Sequence, residues 1–166
     1  NLYSNNIKPK ITVYNNLNLP IVNTFQHEDF KIEVLPEVDM NNYDVYVMGV
    51  YQPNLKNKLI KELGLTTDKF INVIHDWLDM SKTSTIGSGV LINSKVSIAA
   101  HTKIGDFVSI NKHVSIGHHV TIGDYCSINP GTNIAGNVTI GEGTTIGMGT
   151  NVINGIKIGK NTIVGA

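Results

Sequence analysis

Cysteine is almost absent from this 166-residue chain: Cys126 stands alone, which excludes an internal disulfide and points to a reducing, cytoplasmic setting. Charge of either sign is not in excess, with 13 basic against 13 acidic residues, which argues against a strong nucleic-acid or membrane-surface binder. No apolar run approaches the roughly 20 residues that a membrane-spanning helix needs. The opening "NLYSNNIKPK" lacks the basic-then-apolar pattern of a secretory signal. A glycine-rich turn near the start, the usual opening of a doubly wound domain, is also missing.

What is present falls into two halves. Residues 1–75 carry mixed patterning that predicts a small α/β domain, Rossmann-like and incomplete. "KITVY" (10–14) and "FKIEVL" (30–35) read as strands, and "YDVYVMGV" (43–50) as a buried parallel strand. "YQPNLKNKLIKELGL" predicts a helix with Leu55, Leu59, Ile60 and Leu63 on one face, lysines over much of the rest, and Gly64 as its stop. "KFINVIH" (69–75) reads as the next strand, completing a βαβ unit. An earlier strand and helix are expected before this segment, or the domain is reduced.

Residues 76–166 obey a different rule. From Ile86 an aliphatic recurs at every sixth position: Ile86, Ile92, Ile98, Ile104, Ile110, Ile116, Ile122, Ile128, Ile134, Ile140, Ile146, Val152, Ile158 and Val164. A repeat this short cannot bury its own side chain, so successive copies must stack. Two places before each aliphatic sits a second inward residue, such as Val108, Val114, Val120, Cys126 and Thr132. A longer period of 18 shows in Gly87, Gly105, Gly123, Gly141 and Gly159, and in Asn93, Asn111 and Asn129. Three hexads therefore form one triangular coil, with these glycines and asparagines expected at its sharp corners. Residues 18 apart should lie about 4.8 Å from each other in neighbouring coils.

The histidines in "NKHVSIGHHVTIGDYCSIN" (111–129) interrupt a run of small outward residues. His118 is flanked in its column by Ala100 and Gly136, which leaves room for a groove beside its ring. His119, its immediate neighbour, is expected to point elsewhere. His101, 12 and 17 residues before His113 and His118, is placed on another face. Cys126, at an inward position, reads as a buried structural thiol. The glycines of "IGEGTTIGMG" are explained by repeat corners, and no phosphate-loop lysine–serine pair follows.

The strict six-residue pattern resembles the hexapeptide-repeat family, whose fold is a left-handed parallel β-helix. "FINVIH" followed by "GHH" and "VTIGDY" is similar to the nucleotide-sugar N-acetyltransferases and the sialic acid O-acetyltransferase group. The resemblance implies a nucleotide-sugar-binding first domain and an acetyl-CoA-binding β-helix. It also implies a homotrimer with active sites between subunits and a place in polysaccharide biosynthesis. On the same ground His118 is expected to be the general base and His119 its neighbour, standing where relatives carry an acidic residue. A backbone N–H near Gly136 is expected to face the oxyanion. Ser127, Gly136, Met148 and Ala166 are expected at acetyl-CoA, and Asn111 near the acceptor. The implied reaction is acetylation of the amino group of a nucleotide-linked sugar. An imidazole suits it, since its ordinary pKa of about 6.5 lies near working pH.

Three alternatives remain open at this point: sugar O-acetylation, a zinc carbonic-anhydrase-like centre at His113 and His118, and a non-catalytic structural β-helix. The metal reading lacks a third histidine, because Trp77 and Lys82 stand two coils before that pair. A further coil and a cap are expected after "TIVGA".

Overall fold

The computed structural model of the protein describes residues 10–14, 24–26, 31–35, 39 and 42–166. Its chain forms two compact units, Asn1–Tyr43 and Asp44–Ala166.

In the first unit, β1 (Lys10–Tyr14) and β3 (Lys31–Leu35) run parallel, with Lys10 opposite Lys31 and Tyr14 opposite Leu35. β2 (Thr24–Gln26) pairs antiparallel with the other edge of β3. The two expected strands at 10–14 and 30–35 are therefore present. The earlier strand and helix expected at the front lie outside the described residues.

The second unit opens differently from the sequence expectation. Tyr43–Val50 is not a strand: Tyr46 alone makes a bridge, accepting from Ile71 N–H at 3.0 Å and donating to Lys69 O at 2.8 Å. Val45 and Val47 are each about half exposed, so alternate residues of this run have no apolar layer to enter. The expected helix is present as α1 (Pro53–Leu63), with proline in its first turn and Gly64 closing it in the left-handed conformation. Leu55, Leu59, Ile60 and Leu63 are half-buried, as their spacing predicts. Lys56 departs from the lysine-covered face: it is fully buried. The "KFINVIH" segment shortens to the two-residue strand Val73–Ile74, and its partner is Leu91–Ile92. Val73–Ile74 belongs to the first coil of the solenoid, and the expected βαβ unit is reduced to the single parallel bridge between Tyr46 and Phe70 on either side of α1.

From there the chain is a parallel β-helix of two-residue strands on three faces. Val73–Ile74, Leu91–Ile92, Ser109–Ile110, Ser127–Ile128, Thr145–Ile146 and Ile163–Val164 stack on the first face. The second face runs from Asp79–Met80 to Asn151–Val152, and the third from Thr85–Ile86 to Lys157–Ile158. Every partner is 18 residues away, as expected. The six-residue register also extends two hexads before Ile86, through Met80 and Ile74.

The interior is a continuous aliphatic stack that includes Ile92, Ile98, Ile110, Ile122, Ile128 and Ile146, with Val90, Val108, Val114, Val120 and Val138 as the second inward set. Burying such a side chain is worth about 1.5–3 kcal/mol, so the stack is the main source of stability. Inward hydroxyls find partners 15 residues ahead. Thr102 Oγ1 donates to Gly117 O at 2.8 Å and Thr144 Oγ1 to Gly159 O at 2.7 Å. Cys126 follows the same rule, its Sγ 3.1 Å from Gly141 O, and burial pushes the thiol up to about 11. A thiol so held stays protonated, consistent with a structural role.

The corners correct one expectation. From Ile92 onward the left-handed backbone falls three residues before the aliphatic, not one after it: Lys95, His101, Phe107, His113, His119 and Tyr125 all have φ between 56° and 62°. The glycines one place after the aliphatics answer to space instead. A Cβ on Gly141 would lie 2.6 Å from Lys160 N in the next coil.

Candidate active site

The site is built where the second face turns into the third. Gly117 begins that corner. A Cβ there would fall 2.6 Å from Gly136 N, so glycine lets the two coils close up. Gly117 N–H donates to Ile134 O at 2.7 Å and its carbonyl accepts from Thr102 Oγ1. One residue on, His118 O accepts from Asn137 N–H at 2.9 Å, and His119 N–H donates to Ala100 O at 2.9 Å. Coils on both sides thus hold the His118–His119 backbone while both side chains stay exposed.

The His118 ring lies across Gly136. A Cβ on Gly136 would sit 2.7 Å from both Cε1 and Nε2 of His118, so any larger residue would displace the imidazole. The room foreseen in this column is filled by the ring itself. Gly136 is buried, and among the described residues its N–H has no acceptor.

His119 does not point away. Its Nδ1 lies 3.0 Å from Nδ1 of His118, with the rings close to perpendicular at 86°. Only one of the two nitrogens can carry the proton of that hydrogen bond. When His118 Nδ1–H donates and His119 Nδ1 accepts, His118 Nε2 keeps a lone pair and can take up a proton. His101 also departs from the sequence reading. It sits one coil before His119 in the same column, and their ring centroids are 4.9 Å apart at 45°. The signal for this pairing, a spacing of 18, was present in the sequence.

Asp106 and Asp124 lie on a different corner and are engaged there. Asp106 Oδ1 accepts from Ser88 N–H and Asp124 Oδ1 from Asp106 N–H, each at 2.8 Å. Neither replaces the acidic neighbour that His118 lacks.

The other candidates are not gathered here by a single chain. Asn111, Met148 and Ala166 lie along the corner between the first and second faces. Met148 is 62% exposed, and Asn111 Oδ1 accepts from Lys112 N–H at 2.9 Å. Ser127 is on the first face and buried, its hydroxyl donating to Tyr51 O and lying 3.3 Å from Lys56 Nζ. That commitment leaves Ser127 no surface for a ligand. His113 shares the corner of Asn111, one corner before His118, and donates its N–H to Ser94 O. Among the described residues no three His, Cys, Asp or Glu side chains converge as a metal centre requires.

Residues 101–136, which contain this corner, match the family model described as bacterial transferase hexapeptide (six repeats). No curated protein matches the chain. Among solved structures, PerB from Caulobacter crescentus in complex with CoA and GDP-perosamine is 32% identical. That likeness covers 72% of this chain and 58% of that one, with a TM-score of 0.67. WeeI from Acinetobacter baumannii AYE is 26% identical over 72% of this chain and 58% of its own, at a TM-score of 0.64. The acetyltransferase domain of PglB from Neisseria gonorrhoeae FA1090 shares the fold at 21% identity, with 96% and 73% covered and a TM-score of 0.66. The chain spans about three fifths of the length of the perosamine N-acetyltransferase structures that it resembles. Its unbroken six-residue register, its coils paired at 18 and these likenesses agree: the chain is a hexapeptide-repeat, left-handed β-helix protein related to the nucleotide-sugar N-acetyltransferases.

Proposed function

We propose that the protein transfers an acetyl group from acetyl-CoA to the amino group of a nucleotide-linked amino sugar, with His118 as general base. The observation that carries this reading is His118 itself: an exposed imidazole laid over Gly136 with its Nδ1 3.0 Å from Nδ1 of His119, an arrangement that leaves Nε2 to accept when His118 Nδ1–H is the donor. The likeness to a perosamine N-acetyltransferase bound to CoA and GDP-perosamine supplies the substrate classes.

In this reaction the acceptor nitrogen attacks the thioester carbonyl, and His118 Nε2 takes the proton that the nitrogen sheds. The Gly136 N–H, with no acceptor among the described residues, suits the developing oxyanion. Collapse of the tetrahedral intermediate breaks the C–S bond. The thiolate of CoA then recovers the proton from the imidazolium, and N-acetyl sugar and CoA leave.

Met148 and Ala166 are proposed acetyl-CoA contacts and Asn111 an acceptor contact, supplied from neighbouring subunits of a homotrimer. Their position on a different corner from His118 supports a shared site. Residues 1–72, ahead of the first coil, are proposed to form the Rossmann-like, nucleotide-recognising part, the reaction to serve polysaccharide biosynthesis, and the cytoplasm to be its location. Among the described residues no helix is long and apolar enough to cross a membrane.

A panel of UDP-, GDP-, dTDP- and CMP-linked amino sugars and their hydroxyl analogues, assayed with acetyl-CoA, tests the reading. Release of CoA with one nucleotide-linked amine is expected, from a particle whose light-scattering mass is three chains. Turnover only of an unlinked small acceptor, or only of the hydroxyl analogues, overturns it. Replacing Gly136 with alanine is expected to push the His118 ring aside and lower kcat about 100-fold, the scale of an ångström-sized misplacement. Acetyl-CoA turnover before and after that change is the measurement.

A further inference from the structure

His101 has no part in the chemistry described so far, yet it is the side chain packed against His119. We propose that His101 is a positioning residue for the His118–His119 pair: its ring holds the imidazole of His119 so that Nδ1 of His119 faces His118. The inference rests on His118 as the general base and adds the group that fixes which of its nitrogens is free.

Three observations carry it. First, the hydrogen bond between His118 and His119 is only useful in one orientation. If the ring of His119 swung about its side-chain bonds, Nδ1 would leave His118, and His118 could hold its proton on either nitrogen. A carboxylate in that place would present an acceptor whichever way it turned; an imidazole does not, so it needs a second constraint. Second, that constraint is in place. His101 lies 4.9 Å from His119 between ring centroids, tilted by 45°. The perpendicular ring of His118 is at 5.2 Å. His119 is therefore held between two imidazoles of its own corner. Third, His101 is itself anchored. It takes the left-handed conformation with φ of 60°, and its N–H donates to Thr83 Oγ1 at 3.0 Å. Thr83 Oγ1 is in turn 3.0 Å from Ser81 Oγ. A side chain whose backbone is fixed from the previous coil makes a firm stop for the ring above it.

The groups stacked in these two columns are consistent with that role. One column runs Lys82, Ala100, His118, Gly136 and Asn154, and the adjacent one Thr83, His101, His119, Asn137 and Gly155. Neither contains a carboxylate. The strand that follows the corner presents Lys103 and Thr121 outward. With no acid to orient His119, ring packing is the available means.

The test uses His101→Ala and His101→Phe in the full chain. Long-range nitrogen–proton NMR of the imidazoles reads the tautomer of His118 directly, and steady-state kinetics reads turnover. In the unaltered protein His118 is expected as the Nδ1–H tautomer. In His101→Ala a mixture of tautomers is expected, with kcat down about tenfold and KM for acetyl-CoA unchanged. In His101→Phe, which keeps a flat ring but cannot titrate, the single tautomer and most of the turnover should return. An unaltered tautomer in His101→Ala overturns the proposal, as does a phenylalanine variant no better than alanine. The NMR readout does not depend on catalysis. If His118→Ala kept full turnover, the general-base reading would fail while the tautomer result still decided the role of His101.

Discussion

Replacing His118 with alanine is expected to lower turnover about 100- to 10,000-fold, the contribution of a positioned general base. The fold should not suffer. The His118 ring is exposed, and the bonds that tie its residue to neighbouring coils run through the backbone: His118 O accepts from Asn137 N–H, and Gly117 N–H reaches Ile134 O. The aliphatic stack beneath is untouched. Acetyl-CoA affinity should persist, since its proposed contacts lie elsewhere. His119→Ala is expected to cost about tenfold, because it removes the acceptor that holds the His118 Nδ1–H but leaves the base. Kinetics at saturating substrates, with a melting curve and acetyl-CoA titration for each variant, makes the comparison. Near-normal turnover in a well-folded His118→Ala protein would rule the mechanism out.

At Lys56 the expected loss is one of stability. Lys56 leaves α1 and buries its amine against the first face, donating to Phe107 O at 2.9 Å and Cys126 O at 3.2 Å, with Ser127 Oγ at 3.3 Å. The Phe107 carbonyl belongs to a left-handed corner, and among the described residues Lys56 is its only donor. Lys56→Ala strands that carbonyl and opens a cavity, so a loss of about 3 kcal/mol is expected. Burial pulls the amine down to about 8 from an ordinary 10.5. Between those values the unfolded chain binds the proton more firmly than the folded one, so this group makes stability rise with pH across that window. Cys126, whose buried thiol is raised from 9.0 to about 11, and Tyr125, whose hydroxyl is raised foremost by burial, act in the opposite sense, since the folded form keeps each proton longer. Denaturant midpoints of the protein and of Lys56→Met, measured from pH 7 to 10.5, separate the two. The methionine variant should lose the rise through the Lys56 window and keep the later fall. Parallel pH curves for the two proteins would show that Lys56 is not the group responsible.

The β-helix was legible in the sequence because one simple rule writes it. An aliphatic every six residues can be satisfied only by stacking, and glycine or asparagine every 18 marks the turn of the coil. The rule is plain only from Ile86, because Met80 and exposed Ile74 are weaker signs of the same register. Corner geometry was misplaced because glycine has two uses. At Gly117 and Gly141 it clears space for the adjacent coil, while the left-handed positions carry His101, Phe107, His119 and Tyr125, residues that tolerate the strain when stacked. Composition does not distinguish these uses. Lys56 looked like one more solvated lysine, since nothing local to α1 reveals a distant carbonyl in need of a donor. Ser127 fits a small outward position equally well on an open face and beneath Tyr51 and Lys56. The candidate base was legible because Gly136 and Ala100 flank it. Its surroundings were not, because the spacings of 12 and 17 from His101 to His113 and His118 hide its contact with His119, which follows the count of 18.

The stacked pairing also sets what insertions and deletions the chain can survive. Every strand inside the solenoid, its first and last coils apart, bonds to residues 18 before and after it. Loss of six residues returns the same kind of side chain to the interior and leaves a solenoid that can still close. It also turns everything downstream by one third of a revolution. Removed between His118 and Gly136, six residues would carry the glycine to another corner and bring a different residue under the imidazole. Eighteen residues could be lost from the coils beyond Asn137 without disturbing that corner. The fold is written in units of six and the active corner in units of eighteen, so sequence drift that is silent for folding can erase the site in one step.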